Sequence, residues 1–247
     1  MRPFYRIFIV GSAIAFSLVC ASHACAAQAA TAMQTNVNSS LDDVITKQMN
    51  EAGIVGLGAA IIVNKKIVWA NAYGYADQEQ GIRFTQDTVM NIGSISKTVT
   101  GVALMRAVQD GKLSLDKDIN LYLPFKLTNP HFPNEVITLR HLATHTSGIT
   151  DRWEAYQNTY HFGGDSPVAL ANFMKQYFTA NGQYYSSDNF LKEKPGAYRE
   201  YSNIGAGLAG YIIELATGMP LNEYTATHIF SPVSYTHLRA HETVLDL

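Results

Sequence analysis

The apolar and polar positions of the chain follow patterns that predict helices and strands, and the most apolar pattern covers residues 98–110. This run is apolar on nearly every helical face, which is typical of a helix inside a protein. Gly111 follows it and suits the left-handed conformation that ends many helices. Ser94 lies just ahead of it, where free backbone N–H groups and the helix dipole favour a developing anion. We therefore expect a buried helix with Ser94 at its N-terminus.

Helical spacing of apolar residues predicts five further helices. They cover residues 40–52, 138–144, 167–178, the stretch from 203 to 216, and 221–230. The segment between residues 151 and 196 is long, aromatic and irregular in pattern. Such a segment either shapes a binding cleft or is a variable surface excursion, and the sequence leaves both open.

Two runs rich in β-branched and apolar residues, 57–63 and 67–73, predict strands. Asn64, Lys65 and Lys66 join them, so the two strands form a hairpin. An isolated hairpin is only marginally stable in water. We therefore expect further strands from elsewhere in the chain.

The size and charge of the chain exclude some partners. With 247 residues, 47% of them hydrophobic, the chain can form one large domain or two interlocked ones. The formal net charge is −2, and no run of basic residues occurs. We therefore expect no nucleic-acid partner and no binding to an anionic membrane surface.

The N-terminus predicts a cleaved export signal over residues 1–26. Arg2 and Arg6 form its positive region, residues 7–19 its apolar core, and Ala24-Cys25-Ala26 its small-residue cleavage site. The apolar core is shorter than the roughly 20 residues that span a bilayer, although a membrane anchor is the alternative.

Cleavage after this signal removes both cysteines, Cys20 and Cys25. Export of a chain without cysteines is consistent with a bacterial periplasm, which is the location we predict. We also predict a disordered leader at residues 27–38 and no stable membrane span in the mature chain.

Ser94-Ile95-Ser96-Lys97 places an amine three residues after a serine, on the same face of a helix. A serine nucleophile needs a base within hydrogen-bond reach. An amine held against a buried helix loses its proton more readily than a free lysine does. This is the S-x-x-K arrangement of the penicillin-recognising serine enzymes, and by itself it is a weak signal.

Two further segments make the pattern specific. Tyr201-Ser202-Asn203 resembles the Y-x-N motif of class C β-lactamases, and residues 142–148 (Leu-Ala-Thr-His-Thr-Ser-Gly) resemble their L-L-x-H-T-S-G segment. In this combination, residues 39–232 resemble part of a class C β-lactamase-related serine hydrolase domain, a family that includes β-lactamases, D-alanyl-D-alanine peptidases and carboxylesterases. The resemblance implies an α+β fold, with an antiparallel sheet flanked by helices and a mostly helical subdomain.

The resemblance also implies an acyl-enzyme mechanism. Ser94 would be the acylated nucleophile, Lys97 the neighbouring amine, and Tyr201 a proton carrier between nucleophile and leaving group. Asn203 would hold the substrate amide and the Lys97 ammonium. The substrate would be a β-lactam, a D-alanyl peptide or a small ester, with no metal and no cofactor. A non-catalytic binding protein that kept the fold is the alternative, and the oligomeric state stays open.

Other patterns compete with these assignments. Ser187-Asp188-Asn189 matches the S-D-N motif of class A enzymes, and Tyr156-Gln157-Asn158 also matches Y-x-N. We prefer Tyr201 because a Pro-Gly turn precedes it and a helix of small residues follows it. His141 and His145 have a metal-ligand spacing, but leucine follows His141 where a zinc protease has glutamate. We expect both histidines to be structural.

The family's third motif, K-[TS]-G or H-x-G on a later strand, is absent after residue 203. His161-Phe162-Gly163 matches H-x-G but precedes Tyr201. Residues 233–243 are similar to the translation of a transposase-based sequencing adapter. We therefore predict that residues 233–247 are non-native read-through rather than a divergent natural tail. The chain as given would then lack the C-terminal strands and the oxyanion donor that the third motif supplies in the family, so it would be inactive. It would also be poorly soluble because the apolar hairpin edge stays open.

Overall fold

The computed structural model describes residues 40–161 and 166–233. The described residues divide into two compact units, with 40–89 in the first and 90–161 and 166–233 in the second. Three predicted segments lie wholly or almost wholly outside the described residues: the signal at 1–26, the leader at 27–38 and the tail at 233–247. Two residues of the H-x-G match, Phe162 and Gly163, lie outside them as well.

The described part of the first unit consists of a helix and a three-stranded antiparallel sheet. The helix, α1, covers residues 40–52 and is followed by Gly53, whose φ of +67° is the left-handed conformation of a helix end. The strands β1 (Gly56–Val63), β2 (Lys66–Asp77) and β3 (Ile82–Arg83) follow, in the sheet order β1-β2-β3. The predicted hairpin is confirmed, and β3 extends it by one short strand.

A two-residue turn sets the register of the hairpin. Asn64 and Lys65 have φ values of +50° and +65°, the left-handed pair that a type I′ turn requires. Val63 therefore pairs directly with Lys66. This turn type matches the twist of the two strands that it joins.

The hairpin carries several exposed apolar side chains. Ile62 and Ile67 are direct cross-strand partners, and they are 66% and 67% exposed. Ile61, Val63 and Val68 are also exposed. Apolar side chains on an accessible strand pair favour association with other chains.

Helices build the described part of the second unit. They are α2 (Ser96–Gln109), α3 (Leu139–Ala143), α4 (Trp153–Tyr156), α5 (Leu170–Phe178), α6 (Asn203–Thr217) and α7 (Leu221–Thr225). The helices predicted at 138–144 and 167–178 are confirmed with shorter bounds. The single helix predicted at 221–230 is divided, because a π-helical turn, Ala226–Phe230, follows α7.

Helix α6 lies at the centre of the hydrophobic core of this unit. Its residues from Ile204 to Ile213 are all buried. Small side chains let neighbouring elements come close, and a Cβ added to Gly210 would lie 3.1 Å from the Leu221 side chain. Helix α2 packs against α6, and its buried residues are Thr100, Ala103, Leu104 and Ala107.

The expectation that α2 is buried on nearly every side is wrong for the described structure. Val102 and Met105 lie on this helix and are 48% and 52% exposed. An apolar sequence determines what a helix can bury, but the elements packed around it decide what it does bury. The predicted end of the helix is confirmed, since Gly111 has a left-handed φ of +71°.

No single helix among the described residues has both the length and the apolar composition needed to cross a membrane. The two criteria are met only when Asn203–Thr217 and Leu221–Val233 are taken together across a bend of 76°. The first of these two segments is α6, the buried core helix of the second unit.

Candidate active site

Three of the side chains singled out in the sequence meet near the N-terminal end of α2. Ser94 lies in a 3₁₀ turn, Gly93–Ile95, that leads directly into α2. Lys97 stands one turn further on, and its Nζ donates a hydrogen bond to Ser94 Oγ at 3.3 Å. The hydroxyl of Tyr201 donates to the same Oγ at 2.6 Å. The serine oxygen therefore has an amine and a phenol within hydrogen-bond reach.

Asn203, the first residue of α6, joins this group through the amine. Its Oδ1 accepts a hydrogen bond from Lys97 Nζ at 2.6 Å. The same Nζ lies 4.9 Å from the centroid of the Tyr201 ring, within the range of a cation–π contact. Lys97 is thus anchored in α2 while its amine is held by α6 and by the segment just before it. The structure brings all four predicted residues together, and their catalytic and binding roles stay predictions.

The surroundings of Tyr201 lower the pKa of its phenol below the ordinary value. Burial is the largest single influence and acts in the opposite direction. Hydrogen bonds with Lys97 and Ser94 and the positive charge of Lys97 together outweigh burial, while the negative charge of Asp151 raises the pKa slightly. A phenol with a lowered pKa can accept and return a proton closer to neutral pH.

Asp151 holds the segment that carries Tyr201 and Asn203. Its Oδ1 accepts hydrogen bonds from the Ser202 hydroxyl at 2.6 Å and the Ile204 N–H at 3.1 Å. Its Oδ2 accepts from the Asn203 N–H at 2.7 Å. These backbone N–H groups lie at the N-terminus of α6 and so have no acceptor within the helix. The helix dipole at this end also favours a carboxylate.

Sequence reasoning missed Asp151. Ser202 caps the start of α6 by accepting from the Gly205 N–H at 2.8 Å. The carboxylate that binds the same hydroxyl lies 51 positions away in the chain. No local sequence signal connects the two, because an aspartate in an irregular segment has many alternative roles.

His145 also holds the segment that carries Tyr201. Its carbonyl oxygen accepts from the Glu200 N–H at 2.8 Å, and its Nδ1 accepts from the Ser202 N–H at 3.2 Å. The imidazole lies against the Tyr201 ring, with centroids 4.6 Å apart and 34° between the ring planes. The sequence predicted a structural role for His145. In the structure, its side chain contacts the candidate site directly.

The candidate nucleophile is accessible to solvent, and residues next to Tyr201 in the chain are buried. Ser94 is exposed, and Tyr201 is 43% exposed. Behind them, Ser202 and Ile204 are buried. A substrate can therefore reach the hydroxyl while the groups that orient it stay fixed by packing.

In the competing S-D-N match, the contacts of the asparagine are those of a structural residue. Asn189 is fully buried, and its Nδ2 donates to the carbonyl oxygens of Tyr177 at 2.7 Å and Tyr184 at 3.0 Å. Its Oδ1 accepts from Arg152 Nη1 at 3.1 Å. This amide joins the end of α5 to the following loop, a role that explains its burial without any catalytic function. The competing Y-x-N match lies at the end of α4 and in the turn that follows.

The two histidines with metal-ligand spacing do not share a helix. Helix α3 ends at Ala143, and His145 lies beyond it with a left-handed φ of +57°. His141 instead contributes to the cap of α3, where its Nδ1 accepts from the Thr138 N–H at 3.4 Å. Within the described residues, no group of three or more His, Cys, Asp or Glu side chains is arranged to hold a metal ion.

Comparison with known proteins connects this geometry to a family. The sequence model of the beta-lactamase family matches residues 41–244. PbpX of Bacillus subtilis (strain 168), which bears a penicillin-binding protein's name, is 30% identical over 200 residues. These residues are 81% of this chain and 44% of PbpX.

Solved structures of the same fold include enzymes. EstCE1, described as a hydrolase with promiscuous acyltransferase activity, is 25% identical, with a TM-score of 0.66 over 81% of this chain and 52% of its own. A class C beta-lactamase solved with cefoxitin is 24% identical and shares the fold, with a TM-score of 0.60 over 81% of this chain and 50% of its own. The chain spans about half the length of these proteins. From its sequence match and its fold, the chain belongs to the beta-lactamase family.

Proposed function

We propose that this chain carries the active site of an exported serine hydrolase that works through an acyl-enzyme on Ser94. One observation carries the proposal: Ser94 Oγ lies 2.6 Å from the Tyr201 hydroxyl and 3.3 Å from the Lys97 amine. A serine becomes a nucleophile when a neighbouring group takes its proton, and this exposed serine has two such groups in contact. Membership of the beta-lactamase family supports hydrolase activity in general.

In acylation, the phenolate of Tyr201 takes the proton of the Ser94 hydroxyl, and Oγ forms a bond to the substrate carbonyl carbon. The electron pair of the carbonyl double bond moves to its oxygen, which becomes an oxyanion. When the oxyanion collapses, the bond to the leaving nitrogen or oxygen breaks, and Tyr201 gives its proton to that atom. The Lys97 ammonium stabilises the phenolate, and Asn203 holds the ammonium in place.

In deacylation, a water molecule attacks the carbonyl carbon of the Ser94 ester. The phenolate of Tyr201 takes the proton of the water. The bond between the carbonyl carbon and Ser94 Oγ then breaks, Tyr201 returns the proton to Oγ, and the product acid leaves. The backbone N–H of Ser94, in the 3₁₀ turn that leads into α2, is suited to stabilise the oxyanion in both steps.

The family's third motif supplies a second oxyanion donor, and the sequence has no K-[TS]-G. Loss of one such donor lowers the rate about 10²-fold to 10³-fold. We propose that the 247-residue chain is nearly inactive by itself and that the natural protein continues after residue 232 with the missing strands. Amplification of the locus from source DNA tests this. A stop codon after Leu247 in independent clones would refute it.

The candidate substrates are a β-lactam, a D-alanyl peptide and a small ester. The three classes share the acylation step, because each presents a carbonyl carbon with a leaving nitrogen or oxygen. They differ in how readily water reaches the acyl-enzyme, which depends on surfaces beyond Ser94 and Tyr201. The name of PbpX supports a β-lactam or D-alanyl peptide substrate, and the description of EstCE1 as a hydrolase supports an ester.

Covalent labelling tests the proposal. The full-length protein, meaning this chain with its natural downstream sequence, is treated with a fluorescent penicillin and with a fluorophosphonate, and the adduct is located by mass spectrometry. We expect the adduct on Ser94, its loss in Ser94→Ala and its retention in Ser187→Ala. Absence of any adduct on Ser94 in the wild-type protein would overturn the hydrolase and favour the binding protein of the same fold.

Export is supported by the positive, apolar and small-residue regions of residues 1–26. Expression of the full gene in a bacterium, followed by fractionation and N-terminal sequencing, tests it. We expect periplasmic protein that begins at residue 27. Uncleaved protein in the cytoplasm would contradict the assignment.

A further inference from the structure

We infer that His145 is a positioning residue that holds the Tyr201 phenol against Ser94 and releases it when the imidazole is protonated. The inference rests on the proposed function, since it concerns the same site. It assigns a role in catalysis to the histidine of the segment Leu-Ala-Thr-His-Thr-Ser-Gly, beyond the four residues that the mechanism uses.

His145 controls the backbone on both sides of Tyr201. The Glu200 N–H donates to its carbonyl oxygen at 2.8 Å, and the Ser202 N–H donates to its Nδ1 at 3.2 Å. Between these two bonds, the Tyr201 ring lies on the imidazole at a centroid distance of 4.6 Å. A phenol whose two neighbouring residues are bonded to one histidine, and whose ring rests on that histidine, has its direction set by it.

The hydrogen bond to Nδ1 exists in only one protonation state. A neutral imidazole that accepts at Nδ1 carries its proton on Nε2. In the imidazolium both nitrogens are donors, so Nδ1 of His145 would then point a proton at the Ser202 N–H. One of the two backbone bonds is therefore lost on protonation, and a cation is placed against the Tyr201 ring.

The charged groups around His145 favour the neutral form. Burial lowers its pKa most, and the positive charges of Arg199, before α6, and Lys97, on α2, lower it further. Asp151, ahead of α4, is the opposing influence and raises it. The accepting form is therefore complete above the ordinary histidine pKa of about 6.5, and it is lost as the pH falls through the lowered value.

The backbone of His145 suggests an informative substitution. Its φ of +57° is uncommon for a residue with a Cβ, and asparagine tolerates this conformation better than most residues. The Oδ1 of an asparagine can occupy nearly the same position as Nδ1 and accept from the Ser202 N–H, but it does not titrate. His145→Asn therefore keeps the acceptor and removes the proton-dependent step, whereas His145→Ala removes both.

The experiment measures the second-order rate of Ser94 labelling by a fluorophosphonate in the full-length protein, from about pH 4.5 to about pH 8. We expect a wild-type rate that falls on the acid side. His145→Ala should be slower by up to about 100-fold at neutral pH, as expected for a displaced catalytic group. The Tyr201 phenolate becomes scarcer as the pH falls, so every variant loses rate in acid, and protonation of His145 should make the loss in the wild type steeper. His145→Asn should keep most of the neutral rate and show only the shallower acid decline. Circular dichroism at each pH gives the folded fraction.

The chain offers a matched control. His228 lies against Tyr224 with ring centroids 4.6 Å apart and 40° between the planes, close to the geometry of His145 and Tyr201. It lines the same surface pocket as Arg106. Arg106 lies nine residues along α2 from Lys97, which corresponds to roughly 13 Å of helix. His228→Asn should leave the rate and its pH dependence unchanged.

The outcomes separate this inference from the proposed function. If wild-type Ser94 is not labelled at any pH, the hydrolase assignment fails. If Ser94 is labelled and the rate of His145→Asn falls as steeply in acid as that of the wild type, or His145→Ala reacts at the wild-type rate, only the role of His145 is refuted. An additional acid loss in the wild type that only follows its loss of folded protein would also refute it.

Discussion

The Tyr201 hydroxyl lies 2.6 Å from Ser94 Oγ, although 107 positions of sequence separate the two residues. Ser94 is fixed by the turn that begins α2, and Tyr201 by the segment that begins α6. The two helices pack against each other in the core of the second unit. The distance between the nucleophile and its proton carrier is therefore set by core packing, and the predictions for Tyr201, Lys97 and Asp151 follow from this arrangement.

Tyr201→Phe removes the hydroxyl that contacts Ser94 and keeps the ring that lies on His145. We expect the rate of Ser94 acylation to fall by about 10²-fold to 10⁴-fold, because the serine loses its general base. The melting temperature should change little. Labelling kinetics and thermal unfolding of the full-length protein measure the two quantities. Tyr198→Phe, at an exposed tyrosine three residues earlier, is the control, and equal rates for both variants would contradict the prediction.

Lys97→Met should move the pH dependence of acylation to higher pH. Burial raises the pKa of Tyr201, and the hydrogen bond and charge of Lys97 help to lower it below the ordinary value. Without the lysine, the influences that raise the pKa dominate, so the phenolate appears only at a higher pH. The residual labelling rate as a function of pH measures the shift.

The matched control for this variant is Lys112→Met, a lysine just past the other end of α2. We expect its pH dependence to equal that of the wild type. A Lys97→Met rate that rises over the same pH range as the wild type would show that the lysine does not tune the phenol.

Asp151→Ala should destabilise the protein by about 2–3 kcal/mol, because it removes a charged acceptor from three donors at the start of α6. Urea unfolding of the full-length protein measures the free energy. Asp188→Ala, at an exposed aspartate in a 3₁₀ turn, should change it by less than about 0.5 kcal/mol. A similar loss in both variants would show that the contacts of Asp151 contribute nothing specific.

Substitution of the exposed pair Ile62 and Ile67 should reduce aggregation of the 247-residue chain. Ile62→Thr with Ile67→Thr keeps β-branched residues in the strands and removes apolar surface. Light scattering of refolded protein measures the effect. The control is Ile212→Thr, a buried position in α6 where the same change should destabilise the fold. Unchanged scattering in the double variant would indicate another cause of association.

Local features of the sequence predicted several elements correctly. The contact between Ser94 and Lys97 could be predicted because three residues on a helix make almost one turn. The hairpin could be predicted because two strand-like runs flank a short polar turn at Asn64. The end of α2 followed from Gly111, because glycine adopts the left-handed conformation of a helix end at low cost.

Other features depended on contacts that no local pattern encodes. Asp151 and His145 reach Ser202 from 51 and 57 positions away, through a segment whose path the sequence did not define. The exposure of Val102 and Met105 was missed for a related reason. An apolar side chain in the sequence does not reveal whether another element covers it.

The sequence by itself determined the chemical groups of this protein: a serine and an amine one helical turn apart, a tyrosine and an asparagine at the start of another helix, and a family pattern that names them. The tertiary structure alone decided that the phenol meets the serine, that a carboxylate holds the helix end beneath it, and that an imidazole supports its ring. Spacing along a helix is fixed by backbone geometry and can be read from a few residues. Contact between distant segments depends on the packing of whole helices, which is a property of the complete core.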